Sequence, residues 1–206
     1  LKIYNWTLPL SDGTFEYFAL LQIRKSKNEF EIIELTDKSS SMKSPEYKTG
    51  TVKNWYGALY YKIIHEEKFG KNSYTLLGLD YNNLLTNKKL IEVITITNSK
   101  NIKFGAPVFK SAKSNKVKRR VIFEYSENVI MSLKYHHNIQ AIVFDRLVPA
   151  SSKLKGVFEY YGPALEVVDA YKLNKKSWNL TENIDIKLDP NLKDYIWNKP
   201  ENAIID

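Results

Sequence analysis

Residues 120–135 read RVIFEYSENVIMSLKY. Val121, Phe123 and Tyr125 fall on one side of an extended chain, with Arg120 and Glu124 on the other. After the polar break SEN, Val129, Met131, Leu133 and Tyr135 repeat the pattern, with Ser132 and Lys134 opposite. A period of two is that of a strand with one face in a core.

The same texture continues in both directions. Apolar and aromatic runs predict strands near 2–8, 14–24, 29–36, 54–65, 73–80, 90–97, 102–109, 119–125, 129–135, 139–147, 156–161, 165–173 and 176–180. Between them lie clusters such as Ser11-Asp12-Gly13, Asn98 to Asn101 and His136 to Asn138, which suit turns. The expected fold is all-β: an antiparallel meander of about twelve strands that forms a sandwich, a barrel or a partial propeller-like stack. Short connections predict that successive strands pair as hairpins.

One β-rich domain is expected over 1–180. Residues 1–36 are a candidate sub-element before the polar loop 37–53, and 181–206 form a C-terminal extension. From Glu182 onward six acids face three lysines, although the whole chain of 206 residues carries a net charge of +8. Only four basic residues are arginine, the side chain suited to bidentate phosphate recognition, so nucleic acid is disfavoured as a partner. The absence of cysteine removes disulfides and thiolate chemistry. No run approaches the ~20 apolar residues of a membrane helix. The chain begins at Leu1, which reads as a processed product that a leader could have preceded.

Gly57, Gly105 and Gly162 each follow an aromatic residue inside strand-like sequence, where glycine is expected to bend a strand rather than cradle a phosphate. His136 and His137 are adjacent, point to opposite faces of a strand and have only His65 as a third histidine, so a polar turn is expected there. Asp80, Asn82 and Asn83 faintly resemble the start of a calcium loop, but the glycine and distal glutamate are missing. No nucleophile elbow, zinc helix or glycine-rich phosphate loop occurs. A glycosidase pair needs only two acids placed in space, and Glu124, Glu159, Glu166 and Asp169 are the acids on or beside strands.

Two candidate binding surfaces remain. Trp55, Tyr56, Tyr60, Tyr61, Tyr160 and Tyr161 could form an aromatic platform for a sugar or a protein. The run KSAKSNKVKRR (110–120), with Lys116, Lys118, Arg119 and Arg120, could attract an anionic polymer or lipid headgroups. No cofactor is expected.

The segments WYGALYYKI (55–63), YTLLGLDYNN (74–83), FGAPVF (104–109) and RVIFEYS (120–126) resemble a group of uncharacterised β-rich proteins of Bacteroidota-type bacteria. That resemblance covers roughly residues 1–180 and implies an export leader with periplasmic or outer-membrane-associated residence; it assigns no activity and no site residue. The leading expectation is a non-enzymatic envelope protein acting as an accessory subunit or binding module, with another envelope protein or a glycan as partner. A carbohydrate-active enzyme or carbohydrate-binding module is the first alternative, and a binder of anionic polymer or lipid headgroups is the second.

Overall fold

Fifteen strands and five single 3-10 turns make up residues 1–185, the part of the chain that the computed structural model describes. In chain order the strands are β1 (Lys2–Pro9), β2 (Phe15–Arg24), β3 (Phe30–Thr36), β4 (Gly50–Thr51) and β5 (Leu59–Ile64). There follow β6 (Ser73–Asp80), β7 (Thr86–Asn98), β8 (Asn101–Phe104), β9 (Phe109–Ser111) and β10 (Ser114–Lys118). The last are β11 (Arg120–Ser126), β12 (Leu133–His136), β13 (Ala141–Pro149), β14 (Tyr161–Asn174) and β15 (Ser177–Thr181). The all-β expectation holds, in the form of stacked sheets without a closed barrel.

Three sheets form three layers. The N-terminal sheet is β1-β2-β3; the central one runs β4-β8-β7-β6-β5 with β11 also on β7; the third runs β10-β9-β15-β14-β13-β12. One buried cluster joins Tyr17, Ala19, Leu21 and Leu35 of the N-terminal sheet to Leu76, Leu90 and Ile94 of the central one. A second joins Leu77, Ile91 and Val93, from the other face of the same strands, to Ile142, Phe144, Tyr171 and Trp178 of the third sheet. Neighbouring residues of β6 and β7 thus enter opposite cores, which is why LLGL (76–79) and LIEVITI (90–96) are almost continuously apolar. Burying each such leucine or isoleucine contributes about 1.5–3 kcal/mol.

The expectation of sequential hairpins fails at three joints. β11 pairs antiparallel with β7, Arg120 opposite Glu92, rather than with the segment that follows it. β15 pairs with β9 in parallel, and β4 pairs with β8. β7 makes this possible by its length: β6 lies along one edge, while the other holds β11 on Thr86–Glu92 and β8 on the part beyond. The expected strand at 156–161 is instead a loop with a 3-10 turn at Phe158–Tyr160. The polar loop after β3 is tethered, since the Arg119 amide donates to the Glu46 carbonyl (2.7 Å) and the Arg120 guanidinium to the Pro45 carbonyl (2.6 Å).

Asp37 ties the N-terminal sheet to the body. Its carboxylate accepts the amides of Ser39 (2.8 Å), Gly57 (3.1 Å) and Tyr17 (3.3 Å). Gly57 is required by this approach, because a Cβ there would lie 2.5 Å from the carboxylate. Gly105 answers a different need, a left-handed backbone (φ 83°) just after β8 that an L side chain rarely adopts.

Candidate functional site

The aromatic platform read from the sequence is largely interior. Trp55, Tyr56 and Tyr60 are buried beneath the N-terminal sheet, a correction whose cause is that sheet lying over them. They belong to a polar network inside the first core. The Trp55 indole donates to the Tyr60 hydroxyl (2.8 Å), which donates to Glu92. The Arg120 guanidinium holds the other oxygen of Glu92, with Nε–Oε2 at 2.9 Å, and its carbon lies 5.0 Å from the Tyr56 ring centre. Tyr56 and Tyr17 donate to the two oxygens of Asp80, at 3.0 and 2.9 Å. Burial first, and then the Asp80 carboxylate, push the Tyr17 and Tyr56 hydroxyls well above the usual tyrosine range. Burial and then Glu92 do the same to Tyr60.

The basic run is also largely committed within the fold. Arg120 is fully buried, so its place in a surface patch is corrected by its pairing with Glu92. Arg119 donates to the Gly105 carbonyl (3.2 Å), and Lys118 pairs with Glu46 (2.6 Å). Lys116 is exposed. Tyr160 and Tyr161 do come together, beside Glu159, on a groove of about 270 Å³ that Val129, Val148 and Pro163 also line. Tyr61 is exposed apart from its hydroxyl, which donates to the Leu133 carbonyl (3.0 Å).

The four acids nominated for glycoside chemistry sit in different surroundings. Glu124 accepts from Thr86 (3.0 Å) and Asn82 (3.3 Å), and Asp169 is held by Arg146 and the Asn183 amide. Glu159 lies on the groove beside Tyr160, and Glu166 is exposed at φ 56°. Asp80, read as a candidate cation ligand, is occupied by its two tyrosines and the Asn82 amide (2.8 Å). The imidazoles pack on rings, His137 on Tyr135 (4.6 Å) and His65 on Tyr74 (4.8 Å). Among the described residues no group of three or more His, Asp or Glu is arranged to hold a metal ion. No helix there is long and apolar enough to cross a membrane.

Two features that the sequence reading did not single out stand open on the surface. The first is a polar cleft of about 740 Å³, lined by Tyr17, Asp37, Tyr56, Asp80, Asn82 and Lys88, with the Phe15 ring at its side tilted against Tyr81 (5.2 Å). The second is the outward face of the N-terminal sheet. Odd-numbered residues of β1 and β3 turn inward, and even-numbered ones turn out. Tyr4, Trp6 and Leu8 of β1, Phe18 and Leu20 of β2, and Phe30 and Ile32 of β3 therefore share the solvent side. Trp6 and Ile32 are 49% and 53% exposed, and the Trp6 and Phe18 rings stack at 5.6 Å with 8° between their planes.

The signal for this face was present, since YNWTL alternates apolar with polar out of phase with Ile3. What the sequence lacked was any indication that this strand lies in an outermost layer. The chain matches no protein-family model, no curated protein and no solved structure.

Proposed function

We propose that this protein is a non-enzymatic subunit of a bacterial cell envelope, periplasmic or outer-membrane associated, that works by docking through the outer face of its N-terminal sheet. The observation that carries the reading is the cluster of apolar side chains on the outer face of β1, β2 and β3, where Tyr4, Trp6, Leu8, Phe30 and Ile32 are each about half exposed amid charged and polar neighbours. Contiguous apolar patches larger than a few hundred Å² are uncommon on monomeric soluble proteins and mark interaction surfaces. Exposed tryptophan and tyrosine are the side chains that anchor interfaces. The envelope assignment rests on the resemblance read from four segments of the sequence and on the export leader that this resemblance implies. The commitment of Glu124 and Asp169 to bonds within the fold favours a binding role over hydrolysis.

The test compares capture of the purified full-length chain by envelope fractions before and after Trp6→Glu together with Ile32→Glu. Capture is expected to weaken at least about tenfold, the loss of one or two central anchors. Equal capture, with unchanged circular dichroism, overturns the reading.

The polar cleft favours a second reading, in which the ligand is a glycan. A sugar needs hydrogen-bonding groups beside a ring face, and Ser39, Ser40 and Asn83 line the cleft together with Phe15. Titration with neutral and amino-sugar oligosaccharides, read by tyrosine fluorescence, supports this if Phe15→Ala abolishes the response and removes it if no sugar gives one.

A further inference from the structure

The outward side of β2 reads Glu16, Phe18, Leu20, Gln22, Arg24, since the odd-numbered positions between them face the core. The order is self-complementary about Leu20. An acid stands four residues to one side, a base four residues to the other, and apolar or neutral residues between. On the flanking strands the register sets Tyr4 and Glu34 level with Leu20, Trp6 and Thr36 level with Phe18, and Lys2 and Ile32 level with Gln22.

We propose that two copies of this chain pack these faces together about a two-fold axis that crosses β2 at Leu20. The inference rests on the docking reading above and names the first occupant of that face. A two-fold axis lying in the interface, perpendicular to the strands, reverses strand direction and keeps β2 over β2. It lays Leu20 on Leu20 of the partner subunit and brings Glu16 opposite Arg24 of the partner subunit, twice; Arg24 donates through Nε and Nη2 to the Ser26 and Lys27 carbonyls of its own turn (2.9 and 3.0 Å), so the contact falls to Nη1. Two-fold isologous pairing is the commonest symmetry among homo-oligomers. Face-to-face sheets pack ~10 Å apart with strands ~30° from alignment, close enough for these long side chains to meet.

The energetic roles separate by position. Glu16 and Arg24 lie about 13 Å from Leu20 along the strand, at ~3.3 Å per residue, so they sit on the rim and set register. The apolar centre (Tyr4, Phe18, Leu20, Ile32) supplies the affinity. Lys2 falls opposite Trp6 of the partner subunit, a cation over a ring. One pairing is unfavourable: Glu34, level with Leu20 on the flanking strand, faces its own copy.

The experiment is sedimentation velocity of the full-length chain from low micromolar to about 100 μM, a range that covers associations of standard interface size. A dimer is expected. Leu20→Glu abolishes it while leaving circular dichroism and thermal unfolding near those of the parent, because Leu20 lies outside the buried clusters. Glu16→Arg weakens it about tenfold, and adding Arg24→Glu to that variant restores it. Glu34→Gln tightens it severalfold. A chain monomeric throughout, a dimer indifferent to Leu20→Glu, or a charge swap that fails to recover overturns the proposal. A monomeric parent whose envelope capture still depends on Trp6 overturns the self-association and leaves the docking reading standing.

Discussion

Arg120 and Glu92 stand directly opposite each other across the β11–β7 ladder, with both side chains fully out of water. Neither has a chemical task in view. Each completes the other, and Tyr60, the Pro45 carbonyl and the Tyr56 ring complete the pair. Removing one member strands a charge in a dry core, whereas removing both does not. Arg120→Met is expected to cost about 3–5 kcal/mol by urea denaturation. The double variant Arg120→Met, Glu92→Leu should regain most of that loss. A double variant as unstable as the single one contradicts this account.

Alkaline stability follows from the tyrosines of the same network. Unfolded tyrosine ionises near pH 10. Burial, followed by Asp80 or Glu92, holds Tyr17, Tyr56 and Tyr60 protonated well beyond that in the folded chain. Their stabilisation is therefore complete below about pH 10 and is lost as pH climbs from there toward the folded values. Urea midpoints measured across pH 8–12 should be level at first and then fall steeply. Tyr56→Phe should make the fall shallower, and an unchanged slope refutes the assignment.

Asp37 makes a local prediction about the N-terminal sheet. Asp37→Ala removes the acceptor of three amides, and Gly57→Ala drives a methyl into the same carboxylate. Each should destabilise by about 2–4 kcal/mol. Hydrogen exchange should quicken first in β1, β2 and β3, and a uniform effect over all three sheets counts against this clamp.

Trp178 joins the central sheet to the third. It is fully buried, and its indole donates to the Thr75 hydroxyl at 3.1 Å. Trp178→Ala should cost about 3–5 kcal/mol in thermal or urea unfolding. A loss below about 1 kcal/mol would mean that the two layers hold together without it.

The alternation in VIFEY and the nearly continuous apolar run in LIEVITI, broken by Glu92 and Thr95, read directly as strands of an all-β stack, but the single covered face expected for the first is corrected, because Arg120 and Ile122 enter the first core while Val121, Phe123 and Tyr125 enter the second. Arg120 misleads because its neighbours Lys116, Lys118 and Arg119 make the segment look like a solvated basic run, while its partner Glu92 lies 28 residues away and is found only through register. Trp55, Tyr56 and Tyr60 mislead similarly. An aromatic cluster looks the same whether it faces water or a sheet supplied by residues 1–36. The outer face reverses that error, because Tyr4, Trp6 and Leu8 have the composition of a buried strand side and only the layer order leaves them uncovered.

The two-tenant edge of β7 has a consequence for synthesis. β8 follows β7 after a tight turn and can dock at once, but the slot along Thr86–Glu92 must stay vacant until β11 emerges. With 28 residues between Glu92 and Arg120, the ribosome needs about 1–6 s to deliver the guanidinium at ~5–20 residues per second. Throughout that interval the nascent chain presents an unclaimed ladder and an unneutralised carboxylate side by side, a target suited to a holdase.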